Sequence, residues 1–370
     1  MSAEIEQFER LFIDDIPLID TRAPIEFAKG SFPHAVNLPL MTDDERAQVG
    51  SCYKKQGQDA AIALGHELVS GNTKTARVEQ WRAFAEANPH GALFCFRGGM
   101  RSGISQQWLA DAGVDFPRIK GGYKAMRRWL METLDALCQE RCFIVVGGRT
   151  GSAKTRLLVG DEQSPALVGS IDLEGLAHHR GSAFGRRVTE QPSQIGFEIA
   201  LAIAVLKTAR ATDTHLLVED ESRLIGRCAL PLAMQEVIKT SDVVLLEASL
   251  ADRVEHSFDN YILQNLRDFE RLLNDSNKAF ECFEQGLLDA LSRIQKRLGG
   301  ERYKQLLAIM EAALAEHRRG NPERHREWIA PLLSDYYDPM YDYQLKHKEK
   351  RVIFKGDAHA ISAFLQTQAT

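Results

Sequence analysis

The sequence predicts two α/β domains, each built on a mostly parallel sheet, and three observations lead there. At 370 residues the chain is longer than one ordinary core organises. Short apolar runs alternate with helix-like stretches up to about residue 140, and the alternation restarts at CFIVVGG (142–148). Strands that alternate with helices form a mostly parallel sheet covered on both faces.

The elements follow in order. IPLID (16–20) and HAVNLPL (34–40) read as short strands, separated by the turn-prone TRAPIEF. A helix-like stretch runs from Thr42 to about Val69, and another over Arg77–Ala87. GALFCF (91–96) is a buried strand, and SGISQQWLADAG (102–113) a helix stopped by Gly113. FPRIKGGY (116–123) supplies the last strand and turn, and a helix over Lys124–Glu140 leads onward. The second half opens with CFIVVGG, then the loop RTGSAKT and the helix TRLLVG; later strands are HLLVED (215–220) and DVVLLEA (242–248). From about Leu250 to Leu333 the pattern is helical and charged, as in a helical insertion. The domains are thus expected at 12–136 and 140–370, with the junction near 136–142.

Composition narrows the class. Hydrophobic residues at 44% and charged residues at 26% suit a globular protein. No apolar run reaches the roughly 20 residues that span a bilayer. The N-terminus lacks the basic start and apolar stretch of a signal peptide, so the cytoplasm is the expected location. Six cysteines form no C-x-x-C pair, which speaks against a disulfide scaffold or a zinc module. Net charge of −5 argues against broad nucleic-acid binding, yet basic residues gather at 118–129, 317–326 and 346–355. Each cluster is either a solvated face or an RNA contact.

Two loops carry chemistry. Cys95 ends a strand and is followed by Phe96, Arg97, Gly98, Gly99, Met100, Arg101 and Ser102 before a helix. Glycines let the backbone turn its N–H groups inward as an anion nest, and the helix N-terminus adds positive charge. With Arg97 and Arg101 such a loop favours a reactive thiolate. In the second loop, VVGGRTGSAKT, Gly148, Thr150, Gly151, Ser152, Lys154 and Thr155 fit a P-loop, with Ala153 where a second glycine normally lies. Alanine there is tolerable if its φ stays negative. The loop calls for backbone donors around a di- or triphosphate, a lysine on its outer oxygens and a hydroxyl able to hold Mg²⁺; no dedicated metal site is evident. LLVEDESR (216–223) offers Glu219, Asp220, Glu221 and Arg223 behind a strand, as a metal-holding set or as a polar loop end. DLEGLAHHRGSAFGR (172–186), with Asp172, Glu174, His178 and Arg180, is a ligand-facing loop or a surface loop.

Residues 12–136 resemble a rhodanese domain through LIDTRAPIEFAKGSFPHAVNLPL and GGYKAM, which places Cys95 on that family's persulfide-forming cysteine. Five residues separate Cys95 from Arg101, one more than in sulfur-transferring members, so the loop should fit an anion as large as phosphate. With the P-loop and with DLEGLAHHRGSAFG, LVEDESR and YYDPMYDYQL (336–345), the whole chain resembles the tRNA 2-selenouridine synthase family. The resemblance implies an enzyme that converts wobble 2-thiouridine in tRNA to 2-selenouridine through an S-geranyl intermediate. Its substrates would be geranyl diphosphate and selenophosphate, with no tightly bound cofactor beyond Mg²⁺. It implies that Cys95 handles selenium and that the P-loop holds diphosphate. Burying a ten-carbon chain, worth on the order of 5–8 kcal/mol, calls for an apolar groove, expected near Lys154. The basic stretches at 317–326 and 346–355, beside Tyr336, Tyr337, Tyr341 and Tyr343, are the expected tRNA contacts. The rival readings are a P-loop small-molecule kinase with a regulatory rhodanese domain, a phosphatase acting at Cys95, and a non-catalytic RNA-binding module.

Overall fold

The computed structural model describes residues 4–162 and 164–368. The chain divides into two compact units, Met1–Leu137 with Ser193–Lys207, and Cys138–Pro192 with Thr208–Thr370. In the first unit, β1 (Glu4–Ile5), β2 (Leu18–Asp20), β3 (Ala35–Asn37), β4 (Ala92–Phe94) and β5 (Arg118–Ile119) form a parallel sheet in the order β1-β5-β4-β2-β3. β2 and β4 are short and buried at every residue, as strands covered on both faces must be, and the one charge among them, Asp20, is paired with Arg22. Trp81, Leu93, Leu109 and Phe116 pack the core beside them. The single helical stretch expected over 42–69 is two helices, Asp43–Gln56 and Gln58–Leu68, broken at Gly57 with φ +86°. The first starts in a reciprocal cap: the Glu45 amide donates to Thr42 Oγ1, and the Thr42 amide to Glu45 Oε2 at 2.7 Å.

The second unit holds β6 (Phe143–Gly148), β7 (Ser170–Ile171), β8 (Leu216–Glu219), the small hairpin β9 (Leu224–Ile225) and β10 (Cys228–Ala229), β11 (Asp242–Leu246) and β12 (Val352–Gly356). Apart from the hairpin these strands are parallel, in the order β12-β11-β6-β8-β7. β6 is central and buried throughout, so the loop after it lies at the C-terminal end of the sheet, where α/β folds present ligand sites. The helical part runs further than expected, from Leu250–Phe258 to Asp338–Lys346, around a core that includes Phe283, Leu291, Met310 and Trp328. Among the described residues no helix is long and apolar enough to cross a membrane.

Candidate active site

Cys95 follows β4 directly and is 3% exposed. Its Sγ lies 3.1 Å from Ser102 Oγ, which also donates to the Gly99 carbonyl at 3.1 Å. Gly98 takes φ +64°, and a Cβ there would stand 2.5 Å from the Gly121 nitrogen. The Gly121–Gly122 turn pins the loop from its other side. The Tyr123 amide donates to the Cys95 carbonyl at 2.9 Å, and the Lys124 amide to the Phe96 carbonyl at 3.0 Å. Gly99 is open, and Arg97 is exposed. Arg101 is instead tethered, donating to Glu26 Oε2 at 2.6 Å and Oε1 at 3.2 Å. Burial drives the Glu26 carboxyl up, but the Arg101 hydrogen bond and charge outweigh it, and Glu26 ends below the ordinary carboxylate range. Arg101 keeps guanidinium donors free of that pair, since the group carries five. A second fixed cation, Arg22, is buried against Asp20 at 2.6 Å and stacks on the Tyr123 ring at 3.8 Å.

Beside this loop opens a cavity of about 840 Å³ lined by Leu40, Met41, Ile62, Val69, Ile104 and Trp108, with Arg46, Met100 and Arg101 also in its wall. The apolar groove was expected near Lys154; this apolar cavity belongs to the cysteine loop instead. Its wall is drawn largely from the helices Asp43–Gln56, Gln58–Leu68 and Met100–Asp111.

The P-loop connects β6 to the helix Lys154–Val159. Gly148 and Gly151 are required by space: a Cβ at Gly148 would stand 2.6 Å from Ser152 Oγ, and one at Gly151 2.8 Å from Ser257 Oγ. Ala153 has φ +63°, so the condition under which alanine is tolerable there is not met. The fold imposes the left-handed turn that glycine normally supplies here, and alanine carries the strain. Lys154 Nζ donates to the Gly148 carbonyl at 3.0 Å. The Thr155 hydroxyl donates to Glu219 Oε1 at 2.7 Å, and its oxygen stands 3.1 Å from Glu174 Oε2. Burial, then the neighbouring Glu174 and Asp172 charges, push the Glu219 carboxyl up to about 8. Burial and the Glu174 charge raise Glu221 as well. Hydroxyl and carboxylate oxygens gathered at a P-loop suit a hard cation such as Mg²⁺. Among the described residues, no three His, Cys, Asp or Glu side chains are placed to enclose a metal on their own. Such an ion would therefore need substrate phosphate oxygens to complete its shell.

The remaining candidates are dispersed. Asp172 caps the short helix Leu173–Leu176, accepting from the Gly175 amide at 2.7 Å. His178, at φ +51°, meets Thr189 Oγ1 at 2.6 Å. Arg180 reaches Asp268 at 3.4 Å, while its NH1 is buried without a partner. Asp220 is ion-paired with Lys348, and Arg223 is exposed ahead of β9.

Sequence reasoning missed what holds the P-loop. Arg253 NH1 donates to the Thr150 carbonyl at 3.3 Å, and its guanidinium makes two 2.7 Å bonds to Asp338. Arg149 donates to Asp342 at 2.8 Å. The motif YYDPMYDYQL thus works as a brace behind the phosphate loop. Its aromatics do not form an RNA face: Tyr336 and Tyr337 are buried, and only Tyr343 is well exposed. A π-helical turn over Leu332–Tyr337 aims both inward. The arginines of 317–326 are likewise spoken for. Arg318 pairs with Glu284, Arg319 with Glu316, Arg324 with Glu327 and Arg326 with Glu255. Part of 346–355 is β12 itself, an edge strand of alternating burial.

Fold and site together define a P-loop group-transfer enzyme joined to a unit that presents a cysteine in a glycine–arginine loop. The family described as tRNA 2-selenouridine synthase AAA domain matches residues 141–370. A tRNA 2-selenouridine synthase of Hahella chejuensis is 54% identical over 97% of this chain and 93% of its own length. Those of Pseudomonas fluorescens and Pseudomonas syringae pv. syringae are each 48% identical over all of this chain, and over 100% and 99% of their own lengths. The chain belongs to the tRNA 2-selenouridine synthase family, and it is an enzyme.

Proposed function

We propose that this enzyme replaces sulfur by selenium in the wobble 2-thiouridine of tRNA, and that it does so in two steps. In the first, the thiocarbonyl sulfur attacks the allylic carbon of geranyl diphosphate and diphosphate departs. Lys154 and the amides around Gly151 hold that diphosphate, and Thr155 with one of the Glu174/Glu219 carboxylates would hold Mg²⁺. Bound Mg²⁺ neutralises charge on the leaving diphosphate. In the second, selenium from selenophosphate bonds to the ring carbon, geranylthiol leaves, and water takes the phosphoryl group as phosphate. Selenium enters and stays at the selenide level, so neither an oxidant nor ATP is needed. The first unit, read as a rhodanese-like domain, serves this step: Arg97, Arg101 and the Gly98–Gly99 backbone hold the donor's phosphate, the Cys95 sulfur attacks its phosphorus and releases hydrogen selenide toward the ring carbon, and water then hydrolyses the S-phosphoryl cysteine to phosphate.

The observation that carries the two-step reading is the cavity beside the cysteine loop. A cysteine in an arginine loop with an apolar cavity of about 840 Å³ at its edge suits a reacting group that carries a hydrocarbon chain. The geranyl chain of the leaving group fits that need, with Arg101 standing where the cavity meets the loop. Mass spectrometry of nucleosides from 2-thiouridine tRNA, incubated with enzyme, geranyl diphosphate and selenophosphate, tests it. S-geranyl-2-thiouridine should appear first and 2-selenouridine second. Selenouridine formed without geranyl diphosphate would sink the two-step scheme, and steady ATP hydrolysis would favour a kinase.

A further inference from the structure

Counter-charge is distributed unevenly over the second unit. In the stretch 317–326 the four arginines each face a glutamate. In the loop around 180–187 they do not. His179 and Arg186 pair as an antiparallel bridge, and between them the chain folds on itself. The Arg180 amide donates to the Gly185 carbonyl at 2.9 Å, and the Ser182 amide to the Arg180 carbonyl at 2.7 Å. Arg293 closes over the loop, donating to the Ala183 carbonyl at 3.0 Å. This tight fold carries Arg180, Arg186 and Arg187 on one short turn of chain to which Arg293 is bonded, and the charges of all four act on His179. Arg180 has one long contact to acid, at 3.4 Å. Arg180 NH1 and Arg187 Nε are buried without hydrogen-bond partners. Among the described residues neither Arg186 nor Arg187 has an acidic partner within ion-pair distance.

Like charges gathered with little counter-charge, here Asp268 and Glu174 near Arg180 and Asp289 near Arg293, are costly, and buried guanidinium donors left unbonded add to that cost. Burial and the mutual repulsion lower both Arg180 and Arg293, and His179 is driven down to about 4, so it stays neutral and adds no further cation. The natural compensation is an anion from outside the chain. The Glu174 carboxyl faces this loop across Gly181 but, among the described residues, makes no ion pair with its arginines. Phosphate suits guanidinium forks. The set also grades outward, from half-buried Arg180 to exposed Arg186 and Arg293.

We propose that Arg180, Arg186, Arg187 and Arg293 form the phosphate-backbone contact for the RNA substrate, beside the P-loop. This rests on the reading that the substrate is tRNA, and the test separates the two. Fluorescence anisotropy with labelled tRNA and full-length protein is measured across a salt series for wild type, R186A/R293A, R186K/R293K and R318A/R319A. Arg186 and Arg293 lie exposed, so the variants should fold, and thermal melts check this. R186A/R293A should lose tRNA affinity roughly tenfold or more at low salt, with a slope shallower by about 0.7–0.9 per contact removed. R186K/R293K should keep most of the slope, R318A/R319A should match wild type, and geranyl diphosphate titration should be unchanged throughout. A wild-type slope in R186A/R293A overturns the proposal. So does a loss confined to geranyl diphosphate binding, which would make the arginines part of the diphosphate site. Wild-type protein that fails to bind tRNA at all sinks the tRNA reading itself.

Discussion

The two loops are braced from opposite distances. The cysteine loop is held by its own neighbourhood: Gly98 nests against Gly121, and the Tyr123 amide closes on the Cys95 carbonyl. The phosphate loop is held from afar, by Arg253 on Thr150 and Asp338 on Arg253, and by Arg149 reaching Asp342 at a separation of 193 positions. A loop fixed locally keeps its shape if distant helices shift. One fixed through a buried ion pair has its geometry tied to the whole helical part. The cysteine loop is thus held in shape by itself, whereas the phosphate loop can respond to what the helices do.

Splitting the loops by function gives the largest effects. Cys95→Ala should cut selenouridine formation by roughly a thousand-fold or more, with S-geranyl-2-thiouridine accumulating in the nucleoside digest. Lys154→Ala should instead weaken geranyl diphosphate by about tenfold to a hundredfold, as loss of a charge-assisted bond predicts, and leave conversion of pre-geranylated RNA intact. If either variant loses both products while folded, the division of labour fails.

Next comes the brace. Asp338→Ala strands the buried Arg253 charge and should cost about 3–5 kcal/mol of stability in the second unit. Calorimetry should show the transition of that unit lowered, with the first unit's unchanged; a uniform drop would mean the two loops are not independently braced.

The third effect is smaller and depends on pH. Glu219 is pushed up to about 8 by burial first and by Glu174 and Asp172 second, so the folded state holds a proton that the unfolded chain has released. Stability from this group is present below the ordinary carboxylate range and is lost as pH rises to about 8. Each unit of that window carries up to about 1.4 kcal/mol. Glu219→Gln should flatten the denaturation profile between pH 5 and 8 without divalent cations, and an unchanged profile would assign the slope elsewhere.

The smallest concerns Ala153. Ala153→Gly relieves a left-handed alanine and should stabilise by about 0.5–1 kcal/mol, read from a urea midpoint. A destabilising result would mean that the methyl group packs usefully.

How much of this the residues announce depends on range. The cysteine loop, the P-loop lysine and threonine and the β6 strand are written in short contiguous runs, where glycine spacing and apolar runs have one physical reading. The pairs Arg101–Glu26 and Arg253–Asp338 join residues 75 and 85 positions apart, and no local pattern marks them. The helix Gln194–Ala211 went unread for a different reason: QIGFEIALAIAVLKTARA is apolar on most sides, so it shows no face. In the stretch 346–355 the charges have structural partners or places that no local pattern marks: Lys348 is ion-paired with Asp220, Arg351 donates to the Ile238 carbonyl, and Lys355 sits on an edge strand, where exposed charge blocks unwanted pairing. Charge density alone marks where arginines are, not whether acids have already answered them.

That unread helix has a consequence for how the chain is made. Residues 193–207 return to the first unit after the second has begun. There Ile195 fills the space against Gly30, Glu198 pairs with Arg127 at 2.7 Å and Lys207 pairs with Asp15. On the ribosome the first unit therefore cannot close when its own contiguous sequence has emerged. It must wait, at 5–20 residues per second, for about 70 more residues that include the phosphate loop. A gene cut after residue 137 would encode a sheet missing one of its covering helices, and the nascent chain carries its two chemistries to completion nearly together.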